Sequence, residues 1–385
     1  MNRIIVIDTK NSTKENWTEL IAESENVLQE AKIIGDRIVG KYLKNAVNQL
    51  KVFSTEGEFQ QEIYMPEDYG TVGDFDGDSL QLYFAFESFI SPQGIYQFDI
   101  SKKEKVTAYK TPKVDFKSSD YRTQQIFYYS EDSTKVPMFI TYHKDLALDG
   151  NNPTWLYGYG GFNISITPRF SPEKAYFLEK GGIYAVANIR GGGEFGERWH
   201  KSGTILQKQN VFDDFISAAK YLVTEDYTSS EKIAIEGRSN GGLLVGACMI
   251  QRPDLFKVAL PGVGVLDMLR FHKFTIGWAW TTDYGSSEDS TQFKYLYGYS
   301  PVHNVKKRNY PATMITTGDH DDRVVPAHSY KFAATLQDNQ EGESPILIRI
   351  DTKAGHGAGK PTSMKITEAT DKISFMLYNL NSFRD

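Results

Sequence analysis

Apolar and polar positions follow two different rhythms along this chain. Up to about residue 110, β-branched and aromatic residues alternate with polar ones in short runs at 3–9, 37–43, 49–55, 79–86 and 94–100, separated by polar turns. Alternation with a period of two, broken by turn residues, predicts antiparallel strands. Three segments superpose at a constant interval: Val6-Ile7-Asp8-Thr9-Lys10, Val52-Phe53-Ser54-Thr55-Glu56 and Phe98-Asp99-Ile100-Ser101-Lys102. Self-similarity at 40–50 residues, several strands per unit, predicts propeller blades. A propeller closes on itself with at least four blades, because closure protects its strand edges. The two to three units expected here are fewer than that, so we read them as an incomplete propeller segment and expect the chain to be part of a longer one.

From about residue 121 the rhythm changes. Strands are expected at 125–130, 138–143, 155–159, 183–189, 232–236, 258–260, 312–316 and 346–350, the middle ones continuous apolar runs. Helices are expected from Ser171-Pro172-Glu173, where Pro suits a first helical position, over 211–223, after residue 241, over 327–338 and over 361–380. Apolar strands alternating with helices predict a doubly wound, mostly parallel sheet. The expected division is 1–110 for the partial β-propeller and 111–385 for the α/β domain.

The chemistry is expected after the strand Ile233-Ala234-Ile235-Glu236. It runs into Gly237-Arg238-Ser239-Asn240-Gly241 and then a helix, the strand–turn–helix setting that gives G-x-S-x-G its meaning as a nucleophile elbow. An acid and a histidine should follow on loops after later strands. The strand at 312–316 leads to Gly318-Asp319-His320-Asp321-Asp322-Arg323, and that at 346–350 to Gly355-His356-Gly357. His356, free to turn between glycines, is the expected base, since imidazole titrates near neutrality and serine needs a base to become nucleophilic. The residues alone leave Asp319, Asp321 and Asp322 open as the acid. His320 is the one serious rival, but it lies in the acid loop; His143, His200, His272, His303 and His328 are expected to be surface or packed residues.

Composition narrows the field. Lys and Arg number 43 against 49 Asp and Glu, a net charge of −6, which lacks the basic excess of a nucleic-acid or anionic-membrane binder. The one cysteine, Cys248, excludes an internal disulfide framework. No apolar run reaches the length of a membrane span. Without H-E-x-x-H or a G-K-[ST] phosphate loop, no metal or cofactor is expected. Asp74, Asp76 and Asp78 mimic a calcium loop, but Ala85 stands where a Glu is needed, so a hairpin turn is expected there.

Gly237-Arg238-Ser239-Asn240-Gly241-Gly242, Leu156-Tyr157-Gly158-Tyr159-Gly160-Gly161-Phe162, Asn188-Ile189-Arg190-Gly191-Gly192-Gly193-Glu194, Thr281-Thr282-Asp283-Tyr284-Gly285, 319–326 and Ala354-Gly355-His356-Gly357-Ala358-Gly359 together resemble the prolyl oligopeptidase family of serine peptidases. The resemblance implies an α/β-hydrolase domain capped by a propeller and cleavage of short peptides after proline. It implies Ser239 as nucleophile, Asp321 as acid and His356 as base. It also implies Tyr159 hydroxyl and the Asn240 N–H as oxyanion donors, and Arg323 on a substrate carbonyl. The proline pocket is implied at Trp280, with Phe162, Tyr284, Val265 and Val324 as walls. The expected partner is a short proline-containing peptide, with no nucleic acid or membrane, and the full-length form is expected to be a monomer. The expected compartment is the cytoplasm, or the periplasm if an export signal preceded the chain. Because the propeller is short, weak or no activity, or a role as an interaction module, is the alternative expectation. An esterase or acylpeptide hydrolase on the same fold is the lesser one.

Overall fold

In the computed structural model, residues 1–102, 105–357 and 359–382 are described; Ala358 of the quoted histidine motif lies outside them. The chain packs as two compact units. The first is Met1–Thr123 with Ser165–Ala175 and Glu194–Glu197, the second Gln124–Ile164, Tyr176–Gly193 and Arg198–Asp385.

The first unit holds a two-stranded ribbon, β1 (Ile4–Val6) with β2 (Thr18–Ile21), and two four-stranded antiparallel sheets. One contains β3 (Val27–Ile34), β4 (Arg37–Lys44), β5 (Val47–Ser54) and β6 (Phe59–Ile63) in sequence order. The other contains β7 (Thr71–Asp78), β8 (Gln81–Glu87), β9 (Gly94–Asp99) and β10 (Thr107–Lys110). The repeat seen in the sequence is thus two four-stranded sheets with a two-stranded piece before them. Val39, Val52, Phe75, Leu82 and Phe84 share one buried cluster across both sheets. Lys32 reaches over the Phe75 ring and donates to the Phe75 carbonyl at 2.7 Å. The Asp74–Asp78 stretch is the end of strand β7; the turn follows it at Ser79, whose φ is +53°.

The second sheet architecture has eight strands: β11 (Tyr121–Tyr129), β12 (Lys135–His143), β13 (Thr154–Tyr157), β14 (Ile183–Ala187), β15 (Ile233–Arg238), β16 (Val258–Gly262), β17 (Ala312–Gly318) and β18 (Ile346–Asp351). Their order is β11-β12-β14-β13-β15-β16-β17-β18. β12 runs antiparallel to β14, and from β14 onward every pair is parallel. β14, β16 and β17 are buried at every residue, as strands covered on both faces must be. The helices are α1 (Pro172–Glu179), α2 (Glu197–Lys201), α3 (Gln209–Thr224), α4 (Asn240–Gln251), α5 (Thr281–Tyr284), α6 (Ser290–Tyr299), α7 (Pro301–Asn304), α8 (Ala327–Asn339) and α9 (Thr362–Asn379). α3 turns Val211, Phe212, Phe215, Ala219 and Leu222 into the core beside Leu243 and Ala247 of α4. Cys248 of α4 is fully buried, and burial raises its thiol pKa well above the ordinary value.

From β13 the chain moves out to β14 on one side, then returns to β15 on the other side of β13. The connections of these neighbours leave in opposite directions, which opens a crevice at their carboxyl ends, where doubly wound sheets place their ligands. The loop after β13 carries Tyr159, and Ser239 follows β15.

Candidate active site

Ser239 stands between β15 and α4 with φ +58° and ψ −117°, a conformation L-residues avoid unless the surroundings impose it. Those surroundings are visible. The Ser239 N–H donates to the Gly262 carbonyl at 2.9 Å, while the Ser239 carbonyl accepts from Gly242 and Leu243 at 2.9 and 3.2 Å. A Cβ on Gly237 would sit 2.3 Å from the Gly241 carbonyl oxygen, and one on Gly241 would sit 2.9 Å from that of Gly158. Both motif glycines are therefore required by close backbone approach.

Of the three carboxylates left open by the sequence, the structure brings Asp321 to His356. Its Oδ2 lies 2.7 Å from His356 Nδ1, and its Oδ1 accepts the N–H groups of Arg323 at 3.0 Å and Val324 at 2.8 Å. Asp319 instead pairs with His320 at 2.6 Å, and Asp322 is exposed. Asp321 is buried and His356 half-buried. With Nδ1 facing the carboxylate, Nε2 is left as the free face of the ring. The two loops are stitched together: the Asp319 and His320 N–H groups donate to the Asp351 and Ala354 carbonyls at 3.2 and 3.1 Å. A Cβ on Gly357 would lie 3.7 Å from the guanidinium of Arg238, so the histidine loop sits beside the residue that precedes Ser239. Arg238 also pairs with Glu368 of α9 at 2.6 Å, and Glu368 with Lys360 at 2.6 Å. Ser239 and His356 make no direct hydrogen bond.

The Tyr159 phenol lies beside Ser239, and burial raises its pKa above the ordinary value, so it is a protonated donor at neutral pH. The Asn240 side chain is surrounded by partners that fix its orientation. Nδ2 donates to the Tyr159 carbonyl at 2.6 Å; Oδ1 accepts from Tyr284 at 2.9 Å and from Lys208 Nζ at 3.2 Å. An ammonium that can only donate on one side and a carbonyl that can only accept on the other admit one amide orientation.

The five residues expected around a proline ring fall in one apolar cluster. Val265, Tyr284 and Val324 are buried in it, and Phe162 and Trp280 pack against it half-exposed. Phe162 and Tyr284 meet edge to face at 5.3 Å, Tyr284 meets Phe271 in the same way at 5.3 Å, and Phe271 stacks with Trp280 at 6.4 Å. Edge-to-face and offset contacts of this kind hold rings at fixed angles. Phe162 has φ +57° and donates its N–H to the Asp283 carboxylate at 3.2 Å. The Arg323 guanidinium is exposed and pairs with no carboxylate among the described residues, which leaves it available to an incoming carbonyl.

Residues 168–383 match the model of the prolyl oligopeptidase family, and residues 1–111 match that family's N-terminal β-propeller domain. The chain belongs to the prolyl oligopeptidase family. The prolyl endopeptidase of Elizabethkingia meningoseptica is 50% identical over 382 residues, 98% of this chain and 54% of the relative. That of Dictyostelium discoideum is 44% identical over 380 residues, 96% of this chain and 50% of the relative. A solved structure from a study of two prolyl endopeptidases superposes with a TM-score of 0.94 at 40% identity, covering 99% of this chain and 57% of the other. Prolyl oligopeptidase B from Galerina marginata, bound to a 35mer hydrolysis and macrocyclization substrate, gives 0.92 at 38% identity, over 100% and 55% of the two chains. The chain spans about half the length of the curated relatives it matches.

His200 is half-buried and bonds Asp283 at 2.6 Å, one of the surface or packed histidines expected. Sequence reasoning missed one residue beside these groups. Lys208, at the start of α3, is fully buried and donates to the Gly160 carbonyl at 2.8 Å. Burial pushes its ammonium pKa down to about 8 against the opposing charge of Asp283. A signal for it existed: Lys208 precedes Val211, Phe212 and Phe215 by three, four and seven residues, the spacing of a single helix face.

Proposed function

We propose that this chain carries the catalytic centre of a serine endopeptidase that hydrolyses short peptides on the carboxyl side of proline. The observation that carries the reading is the pairing of Asp321 with His356 Nδ1 at 2.7 Å, on loops packed beside the strained Ser239 elbow. In this reading His356 Nε2 takes the Ser239 proton as Oγ adds to the scissile carbonyl. The carbonyl electron pair moves to an oxygen held by the Tyr159 hydroxyl and the Asn240 N–H, each such donor contributing about 3 kcal/mol. His356 passes the proton to the leaving amine as the C–N bond breaks, and water repeats the sequence on the acyl-enzyme. Asp321 holds the ring and stabilises its imidazolium form. Trp280 faces the pyrrolidine ring, with Phe162, Tyr284, Val265 and Val324 as walls, and Arg323 takes a substrate carbonyl. A flat, rigid, apolar imino acid fits such a slot at small ordering cost.

The same reading divides the chain into a partial propeller at 1–110 and a peptidase domain at 111–385. It makes the full-length form monomeric and cytoplasmic, or periplasmic if an export signal precedes the chain. No described helix is long and apolar enough to cross a membrane. Cleavage of a Gly-Pro reporter peptide, set against a proline-free peptide, tests it: cleavage after proline that disappears in Ser239→Ala supports it, and preference for another residue rejects it. That Ser239 and His356 share no hydrogen bond favours a second reading, a weakly active or inactive chain acting at most as an interaction module. Equal labelling of wild type and Ser239→Ala by a fluorophosphonate, the sign that no serine is activated, would favour that one.

A further inference from the structure

Lys208 is 1% exposed, and the peptidase mechanism gives it no task. A buried ammonium is unfavourable unless its hydrogens are used. Two of them are: one on the Gly160 carbonyl at 2.8 Å, one on Asn240 Oδ1 at 3.2 Å. The nearest carboxylate, Asp283, is 4.0 Å away and is already engaged by His200 and by the Phe162 N–H. The Tyr284 ring lies 5.3 Å from the ammonium. Both acceptors adjoin the groups assigned to the oxyanion. Gly160 follows Tyr159, and Asn240 supplies its own N–H. A Cβ on Gly161 would lie 2.6 Å from Asn240 Nδ2, so the backbone of this loop packs directly against the Asn240 amide, and Asn240 Nδ2 donates to the Tyr159 carbonyl at 2.6 Å; Lys208 adds a further tie between the two segments through the Gly160 carbonyl and Asn240 Oδ1.

We propose that Lys208 is a positioning residue for the oxyanion site: its ammonium ties the loop after β13 to the first turn of α4 and so sets the separation of the Tyr159 hydroxyl from the Asn240 N–H. The inference rests on the peptidase reading above. Its consequence is that Lys208 acts on the reacting oxygen through two other residues and leaves ground-state binding of a peptide alone.

A peptidyl-prolinal and the matching peptidyl-prolinol separate these effects. The aldehyde carbon bonds to Ser239 Oγ, the hydroxyl proton passes to His356, and the carbonyl electron pair moves to the oxygen between Tyr159 and Asn240. The alcohol occupies the same subsites without that step. In the full chain, Lys208→Met is expected to lower the aldehyde-to-alcohol affinity ratio by about 10- to 100-fold, below the loss of a whole donor, with alcohol affinity within twofold of wild type. Lys208→Gln keeps an N–H donor and is expected to recover part of the ratio. An unchanged ratio in Lys208→Met, or alcohol affinity falling in step with aldehyde affinity, overturns the proposal. If the melting curve shows that Lys208→Met does not fold, Lys208→Gln decides alone: a reduced ratio with unchanged alcohol binding supports it, an unchanged ratio overturns it. A wild-type ratio near one, or a wild-type ratio kept by Ser239→Ala, overturns the parent peptidase reading and this inference with it.

Discussion

Asp321→Asn should do more than remove a charge. Oδ1 of Asp321 is held by two backbone N–H groups, at 3.0 and 2.8 Å, while Oδ2 faces His356 Nδ1. An amide in its place must put its oxygen where the two donors are, because its NH2 there would leave both backbone groups facing a donor, at about 1–3 kcal/mol each. The NH2 is thereby forced towards His356, whose Nδ1 must then accept. The ring's only proton moves to Nε2, the atom that has to receive the Ser239 proton. The expected loss at pH 7 is about 10³- to 10⁴-fold, or about 4–5.5 kcal/mol of activation free energy. The second-order rate of fluorophosphonate labelling is the direct assay, since it needs an activated serine and no peptide turnover. The variant's rate should climb with pH as hydroxide replaces the imidazole, while Asp319→Asn and Asp322→Asn stay near wild type. A rate for Asp321→Asn within tenfold of wild type at pH 7, or an equal loss in Asp319→Asn, would refute the reasoning.

Tyr159→Phe should reduce kcat on a Gly-Pro reporter by about 10²- to 10³-fold with little change in KM, the signature of a donor used in the transition state. Trp280→Ala should erase most of the preference for proline over alanine, read as the ratio of kcat/KM values for paired peptides. His328 is buried against Phe274, near Asp267, Lys331 and Asp321, and its Nδ1 accepts the Asp267 N–H at 3.0 Å. Burial lowers its pKa from 6.5 to about 4. Because the folded value lies below the unfolded one, its contribution is complete above pH 6.5 and is lost as pH falls towards 4, about 3 kcal/mol in all. Denaturant unfolding from pH 7 to 4 should show this slope, and His328→Gln, which can still accept the Asp267 N–H, should flatten it.

The parallel sheet was legible because β14, β16 and β17 are buried on both faces, which demands continuous apolar runs, and α3 because one face meets the core. The first unit was less so. β10 is exposed at every residue, and β7 carries Asp74, Asp76 and Asp78, so neither shows the alternation that marks a half-buried strand. At the site, the motif around Ser239 could be read locally, since the close approach of Gly237 and Gly241 is written into the residue types. The choice among three neighbouring aspartates could not. It depends on a turn in which the Asp321 N–H donates to the Gly318 carbonyl and its carboxylate gathers two later N–H groups, and residue type does not fix such a turn. Lys208 lay on a legible helix face, but its charge argued for solvent; the carbonyl and amide that receive it come from segments 48 and 32 residues away in the chain.

Cys248 provides a built-in clock for this architecture. It is the sole thiol, it is sealed in the helix behind the nucleophile, and it lies 3.8 Å from the Phe212 carbonyl of α3. A maleimide or disulfide reagent can reach it only when α3 and α4 part. Its modification rate therefore times the opening of the scaffold under Ser239 with no engineered reporter, and a ligand that tightens the centre should slow it.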